Sequence, residues 1–93
     1  GMTEEEVLEI SSLFKSLSDP NRIRIIEMLS KDSLYVCIIQ HLLDGIKYSK
    51  LSYHLDVLKK EDVVDSERQG NFVLYYLTPT GKRLSADILS IKK

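Results

Sequence analysis

A short polar stretch carries the side chains with the most chemistry in this chain. Residues 47–54, KYSKLSYH, combine ammonium, hydroxyl, phenol and imidazole groups. The polar members are Lys47, Tyr48, Ser49, Lys50, Ser52, Tyr53 and His54. These groups donate and accept hydrogen bonds, whereas Glu, Lys and Ala would be the favoured choices for an ordinary solvent-facing helix. Helix propensity therefore does not explain why these residue types stand here.

Leucines at regular spacing predict that this stretch opens a helix over residues 48–60. Leu51, Leu55 and Leu58 recur at i, i+4 and i+7, so they form one inward stripe. The positions on the opposite side are Ser49, Ser52, Tyr53 and Asp56, with Lys50 and His54 on a flank. A flank position leaves two interpretations of His54 open: it contacts a phosphate, or it packs against the short helix that precedes this one in the chain.

Apolar periodicity predicts helices on both sides of this one. The first, at about residues 5–18, has an apolar stripe wider than one small core requires. The second starts at Asp19-Pro20, a capping residue followed by a proline that fits the first helical position. VCIIQHLL, residues 36–43, predicts a short buried helix that ends at Asp44-Gly45. The last helix, about residues 80–91, starts after Thr78-Pro79.

Two runs rich in β-branched and aromatic residues predict a hairpin over about residues 63–77. VVDSE and FVLYYL are separated by RQGN, which places Gly70 in the tight turn. We expect one of Tyr75 and Tyr76 in the core and the other exposed, because neighbouring residues of a strand point to opposite faces.

Length and composition predict one globular domain spanning residues 1–93. The chain has 43% apolar residues and no apolar run near the roughly 20 residues that a membrane helix needs, so we expect a cytoplasmic protein without a membrane partner. The net charge is −1, but residues 47–83 carry seven bases against five acids. No catalytic triad or phosphate-binding glycine loop occurs, so no enzyme is expected. The single Cys37 is predicted to be a buried small hydrophobe.

Two longer segments carry a family resemblance. KSLSDPNRIRIIEMLS resembles the second-helix signature of ArsR/SmtB-type repressors, and YSKLSYHLDVLKKEDVVDSERQGNFVLYYLT resembles their recognition helix, glycine-tipped wing and return strand. Together they cover more than half of the chain in the right order. The resemblance implies a mainly α (α+β) winged helix-turn-helix fold with about five helices and a β-hairpin wing. It also implies a homodimer through the first and last helices that binds double-stranded DNA and represses transcription.

The resemblance assigns a role to the opening stretch. Helix 48–60, within a helix-turn-helix over about residues 36–60, would read the major groove, and the wing at 68–71 would meet the backbone or minor groove. The implied DNA-binding residues are Lys47, Tyr48, Ser49, Lys50, Ser52, Tyr53, His54, Arg68 and Asn71. Ser52 and Tyr53 are expected to face base edges, while Lys50 and Arg68 are expected to face phosphates.

The family's metal sites are not matched. Where one family site has a first cysteine and an acid, this chain has Tyr35 and Ile38, so Cys37 has no companion ligand. A second family site needs Asp and His on the last helix, where residues 80–91 contain Asp87 and no histidine. We therefore expect no metal and no cofactor, and the sequence does not name an inducer.

One alternative function remains at this stage. A winged-helix module that binds another protein, without sequence-specific DNA binding, would fit the near-zero net charge, the acid Asp56 and a wing with Arg68 as its one base. The operator, the regulated genes and the choice between activator and repressor are left open.

Overall fold

The computed structural model describes residues 1–92 as five helices and a three-stranded antiparallel sheet. In chain order the elements are α1 (Glu4–Ser16), α2 (Pro20–Lys31), β1 (Leu34–Tyr35), α3 (Val36–Leu42), α4 (Tyr48–Lys60), β2 (Val64–Gln69), β3 (Phe72–Leu77) and α5 (Pro79–Ile91). The predicted fold class, with five helices and a hairpin, is confirmed. Lys93, the last residue of the predicted domain, lies outside the described residues.

Side-chain caps fix where three of these helices begin. At α1, Thr3 and Glu6 form a reciprocal capping box, in which each side chain accepts a hydrogen bond from the other's backbone N–H. Asp19 accepts from the N–H of Asn21 at 2.8 Å to cap α2. Thr78 accepts from the Gly81 N–H at 3.0 Å to cap α5. The predicted starts of α2 and α5 are confirmed, because both caps precede a proline that suits the first helical turn.

The sheet has the order β1-β3-β2, and its longer pair forms the predicted hairpin. β2 and β3 pair from Val64↔Leu77 to Gln69↔Phe72. Gly70 has φ +64°, which suits this tight turn because glycine has no Cβ to clash there. Strand β1, which pairs with the other edge of β3, was not predicted, because two residues are too short to show strand alternation.

The core lies between α2, α3, α4 and the hairpin. Its buried members are Ile25, Ile26, Leu29, Ile39, Leu43, Leu51, Leu55, Leu58, Val63, Val64, Tyr75 and Leu77. Tyr75 is thus the core tyrosine, whereas Tyr76 is half-buried. Helix α1 contributes no buried apolar residue, although Leu13 packs against the core from its edge.

The prediction that helix 36–43 is buried is wrong for part of α3. Ile39 and Leu43 are buried, but Ile38 is 43% and Leu42 is 51% exposed, and Cys37 is also exposed. The apolar residues of VCIIQHLL are distributed around the whole circumference of the helix, and only one side of a seven-residue helix meets the core. The predicted burial of Cys37 is therefore wrong.

A close crossing attaches α5 to the start of the wing. A Cβ at Gly81 would lie 2.0 Å from the carbonyl oxygen of Val63, so α5 can approach the strand only with glycine at this position. The backbone N–H of Thr78 donates to the same Val63 oxygen at 3.1 Å. The wing and α5 are thus held in a fixed relation.

Across residues 1–92, none of the helices combines the length and the apolar character required to cross a membrane.

Candidate nucleic-acid interface

Helix α4 has one face in the core and one face in solvent. Leu51, Leu55 and Leu58 are at most 2% exposed, which confirms that the leucine stripe faces inward. On the outer face, Tyr48 is 64% and Tyr53 is 62% exposed. Ser49, Lys50 and Asp56 are also exposed, and Ser52 is half-buried. The outer face therefore presents hydroxyl groups and phenol rings on a rigidly packed helix.

The N-terminus of α4 is open to a partner. Lys47 occupies the N-cap position without a side-chain hydrogen bond to the first turn, although its carbonyl accepts from the Leu51 N–H at 3.0 Å. Lys47, Tyr48 and Ser49 are exposed around this end. Because the first N–H groups of a helix carry partial positive charge, this end favours an anionic partner such as a phosphate.

The wing lies beside the same end of α4. Tyr48 from α4 and Asn71 from the turn line one cleft of about 220 Å³, which Gln40 and Phe72 also line. Arg68 is exposed on β2, near the turn. The phenol of Tyr35 donates to Gln69 at 2.6 Å and joins β1 to the wing. The structure thus brings the start of α4 and the wing turn to one surface.

His54 does not belong to the exposed set. Its side chain is 3% exposed and faces the N-terminal part of α2, so the inclusion of His54 among residues that contact DNA is wrong. The flank on which periodicity places it is covered by α2, where Arg22 is its hydrogen-bond partner, whereas the packing interpretation named the preceding helix, α3. The remaining predicted residues, namely Lys47, Tyr48, Ser49, Lys50, Ser52, Tyr53, Arg68 and Asn71, are exposed or half-buried.

The hydrogen bonds of His54 define its tautomer. Arg22 Nη1 lies 2.9 Å from His54 Nδ1, and an arginine only donates, so Nδ1 accepts and the proton of a neutral imidazole resides on Nε2. That Nε2 is buried without a hydrogen-bond partner within residues 1–92. The nearest carboxylate oxygen, Asp19 Oδ1, is 4.0 Å away. The imidazole is therefore held in its neutral form.

The electrostatic setting agrees with a neutral imidazole. Burial lowers the pKa of His54 below its usual value, and the charges of Arg22 and Lys50 act in the same direction against the attraction of Asp19. Burial alone would raise the pKa of Asp19, but the Asn21 N–H and the neighbouring His54 and Arg22 side chains hold it below its usual value. Asp19 is thus ionised beside a neutral histidine.

The charge of the outer surface is mixed. Lys59 is turned towards the wing: its Nζ donates to Ser66 Oγ at 2.7 Å and lies 3.8 Å from Asp65 Oδ1. Asp56 is exposed on the same face of α4 as Tyr53. A polyanion that approaches this face would therefore meet one unfavourable charge, and its binding would depend on basic side chains at the edges of the face.

Sequence reasoning missed Arg22. Its Cζ lies 6.0 Å from the centre of the Tyr53 ring, so a basic side chain from α2 borders the exposed face of α4. Nothing in the spacing of α4 residues could reveal it, because the contact joins residues far apart in sequence. The one available signal was the position of Arg22 in the first turn of α2, just after the Asp19 cap.

The structure places few metal-binding side chains together. Within residues 1–92, no group of three or more His, Cys, Asp and Glu side chains could hold a metal ion. Cys37 lies in the cleft beside the wing with Tyr35 and Tyr48 as neighbours, which are not the soft ligands that a thiolate metal needs.

A short helix, a turn, a second helix with an exposed polar face and a hairpin beside it define a winged helix-turn-helix protein. The chain belongs to the bacterial regulatory protein arsR family, whose model matches residues 19–66. This match includes α2, both helices of the motif and the first half of β2. The family prediction from sequence is confirmed.

Named relatives support the same family. The chain is similar to the cadmium resistance transcriptional regulatory protein CadC of Listeria innocua, with 42% identity over 69 residues; the match covers 73% of this chain and 57% of the relative. It is also similar to the transcriptional repressor SdpR of Bacillus subtilis, with 32% identity over 72 residues that cover 76% and 78% of the two chains. The chain thus spans just over half the length of CadC.

Solved structures agree with the fold. The crystal structure of Mycobacterium tuberculosis Rv0081 matches with 31% identity and a TM-score of 0.80, over 95% of this chain and 90% of that one. HlyU of Vibrio cholerae matches with 23% identity and a TM-score of 0.85, over 96% and 97% of the two chains. A domain of Mb0332 from Mycobacterium bovis, described as a homodimeric winged helix-turn-helix DNA-binding domain, matches with 21% identity and a TM-score of 0.82, over 99% of this chain and 88% of that one.

Proposed function

We propose that this chain is a homodimeric, DNA-binding transcriptional repressor. Helix α4 would lie in the major groove, and the wing at residues 68–71 would contact the backbone or the minor groove. The observation that carries the proposal is the exposed polar face of α4, backed by the buried leucine stripe, with the wing turn beside its N-terminus. A rigid helix of this kind can hold side chains at fixed positions against base edges.

The exposed residues divide into two groups by their chemistry. Tyr53 is exposed on the side of α4 away from the leucine stripe, and Ser52 is half-buried next to it in sequence, so we assign both to base edges. The proposed backbone contacts come from groups at the edges: Lys47, Tyr48, Ser49, Lys50, Arg68 and Asn71. Phosphate contacts position the helix and base contacts select the sequence, so both groups are needed for a specific regulator.

A second copy of the chain is the proposed occupant of the exposed apolar face of α1. The exposed apolar residues of α1 are Val7 at 46%, Leu8 at 61%, Ile10 at 40% and Phe14 at 64%, and α5 adds Leu89 at 41% and Ile91 at 82%. Contiguous apolar surface is costly in water, and a two-fold dimer buries the same patch on both copies. The Mb0332 domain, which is described as homodimeric, supports this arrangement.

Two further features belong to the proposal. A regulator that binds the operator of a bacterial gene acts in the compartment that holds the DNA, so we place it in the cytoplasm. Its role requires binding and no catalysis. The structure does not name an inducer: no group of three or more His, Cys, Asp and Glu side chains within residues 1–92 could hold a metal, and the residues that match the family's metal motif keep only Cys37 as a ligand.

A gel-shift series tests the function. The probe is DNA from the region upstream of the chain's own gene, at low salt, and the control is a scrambled duplex of the same length and composition. We expect a retarded complex that unlabelled probe removes and scrambled DNA does not. Failure to retard any duplex at low salt, by a protein that sediments as a folded dimer, would favour the protein-interaction module instead.

A further inference from the structure

A basic residue from outside α4 lies at the edge of the exposed face of that helix. The guanidinium of Arg22, from the first turn of α2, has its Cζ 6.0 Å from the centre of the Tyr53 ring. Lys50 precedes His54 by four residues on α4, and residues at this spacing lie on the same side of a helix, so Lys50 and Arg22 lie towards the same flank of α4. This flank is therefore more basic than the composition of α4 alone indicates.

The guanidinium is held in place by two protein acceptors. Arg22 Nε donates to the carbonyl oxygen of Ser16, the last residue of α1, at 2.5 Å, and Nη1 donates to His54 Nδ1 at 2.9 Å. Nη2 has no hydrogen-bond partner within residues 1–92, and the residue is only half-buried. A planar group held at two of its three nitrogens loses little further conformational freedom when the third nitrogen binds an anion.

We propose that Arg22 is a further DNA-binding residue, which donates from Nη2 to a backbone phosphate next to the bases that Tyr53 reads. The proposal rests on the function proposed above, because it needs α4 in the groove. The buried His54 is then a positioning residue, which accepts from Nη1 and, together with the Ser16 carbonyl, fixes the guanidinium while Nη2 stays free. Asp19 reduces the local positive charge, but its Oδ1 accepts from the Asn21 N–H and lies 4.0 Å from His54 Nε2.

A purely structural role for Arg22 makes a different prediction. If the side chain only ties α1 to α4, its removal lowers the stability of the protein but leaves the number of neutralised phosphates unchanged. A phosphate contact instead contributes about 0.9 to the magnitude of the slope of log K against log salt concentration. Without that contact, DNA binding releases one fewer counterion, so the slope becomes shallower. The slope therefore separates the two roles even when affinity falls in both.

The test compares three variants with the same change of charge. Arg22→Gln removes the proposed contact, and Arg68→Gln removes the wing cation. Arg24→Gln is the matched control, because Arg24 is exposed on the same helix but lines a groove with Met28 and Leu42, away from α4. Affinity for the operator is measured at five salt concentrations, below the thermal midpoint of every variant.

We expect the slope of Arg22→Gln to fall by about one unit per subunit, and that of Arg24→Gln to equal the wild type. Equal slopes for Arg22→Gln and Arg24→Gln, with a wild type that binds specifically, would overturn the role of Arg22 and leave the proposed function standing. A wild type without any DNA complex would overturn both.

A second variant covers the case in which Arg22→Gln does not fold. Arg22→Lys keeps the charge but loses the planar donor edge, so it should retain the wild-type slope and bind the operator several-fold more weakly. Arg24→Lys is its control. If Arg22→Lys and Arg24→Lys bind the operator with equal affinity, the proposal that Arg22 contacts a phosphate is wrong.

Discussion

Helices α1 and α4 have the same length and opposite relations to the rest of the chain. Each has 13 residues, but α4 buries three leucines at 2% exposure or less, whereas α1 buries no apolar residue and leaves Phe14 64% exposed. The outer face of α4 is polar, and the outer face of α1 is apolar. The two exposed surfaces therefore call for different partners: a hydrogen-bonding polyanion for α4 and a second apolar surface for α1.

This difference makes the two helices separable by mutation. A change on the inner face of α4 should unfold the domain, a change on α1 should dissociate the dimer, and a change on the outer face of α4 should affect DNA alone. Substitutions at these three places therefore test the comparison directly.

The largest effect is expected in the core of α4. Leu55→Ala should lower the free energy of unfolding by about 2–5 kcal/mol, because Leu55 is 2% exposed and its truncation leaves a cavity. Denaturant unfolding measures the loss. Tyr53→Ala, two positions away and exposed, is the control and should change it by less than about 1 kcal/mol. A similar loss from both substitutions would contradict the distinction between the two faces.

A dissociated dimer is the next expected effect. Phe14→Asp places a charge in the apolar face of α1 and should raise the dimer dissociation constant about 100-fold, or about 2.7 kcal/mol, without unfolding the monomer. Phe14→Leu keeps the face apolar and should preserve the dimer. Sedimentation equilibrium at micromolar concentration gives both values. A wild type found as a 10.7 kDa species at that concentration would disprove the dimer.

The outer face of α4 should respond in DNA selectivity. Tyr53→Ala should weaken binding to the operator by about 1–3 kcal/mol and leave binding to scrambled DNA nearly unchanged, as expected when a base contact is lost. Fluorescence anisotropy with both duplexes measures the difference. Tyr53→Phe shows whether the hydroxyl or the ring is responsible. An equal loss on both duplexes would move Tyr53 from the base-reading group to the phosphate group.

Much of the fold could be predicted because local signals and the packed structure agree. The Asp19 and Thr78 caps, the prolines that follow them and the leucine stripe of α4 each fix an element on their own. The outer face of α4 followed from the stripe, since the residues opposite buried leucines must be exposed. Gly70 similarly marked the wing turn, where its φ of +64° favours glycine.

The misses have one physical origin, which is contact between distant segments. Periodicity places His54 on the flank of α4 but does not say that α2 covers this flank, and it gives no sign that Arg22 from α2 borders Tyr53. Cys37 is exposed because α3 meets the core on one side only. Strand β1 exists only by pairing with β3. The candidate site was thus predictable where one helix forms it and not where two elements meet.

The buried His54 predicts a modest loss of stability in acid. Its folded pKa lies below its unfolded value, near 6.5, so the unfolded chain takes up more protons as the pH falls below that value, and stability declines until the folded pKa is reached. Each unit of pKa difference is worth about 1.4 kcal/mol. Asp19, whose folded pKa is also lowered, loses its contribution only at lower pH, below 3.8.

Denaturant unfolding between pH 7.5 and 5 separates the contribution of His54 to the pH dependence of stability from that of Asp19. His54→Gln should flatten the dependence of the free energy of unfolding on pH, because the amide has no proton to gain in this range and can still accept from Arg22. His41→Gln, at an exposed position, serves as the control and should keep the wild-type profile. If the wild type instead became more stable on acidification, the attraction of Asp19 would outweigh the burial of His54, and the imidazole would be charged in the folded protein.

The smallest expected effect concerns metals, and it separates this chain from a relative named for cadmium resistance. A metal that controls DNA binding must be held by two or three converging ligands, and it must bind the free and DNA-bound forms unequally. Cys37 is exposed on α3 beside Tyr35 and Tyr48, and no cluster of metal ligands occurs within residues 1–92. Zinc, cadmium or arsenite, added at equimolar concentration, should therefore change the operator affinity by less than about twofold.

Cys37→Ser is the control for thiol binding and should match the wild type with and without metal. Stoichiometric metal binding that lowers the operator affinity tenfold or more, and that Cys37→Ser abolishes, would mean that the second copy or DNA brings further ligands to the thiol.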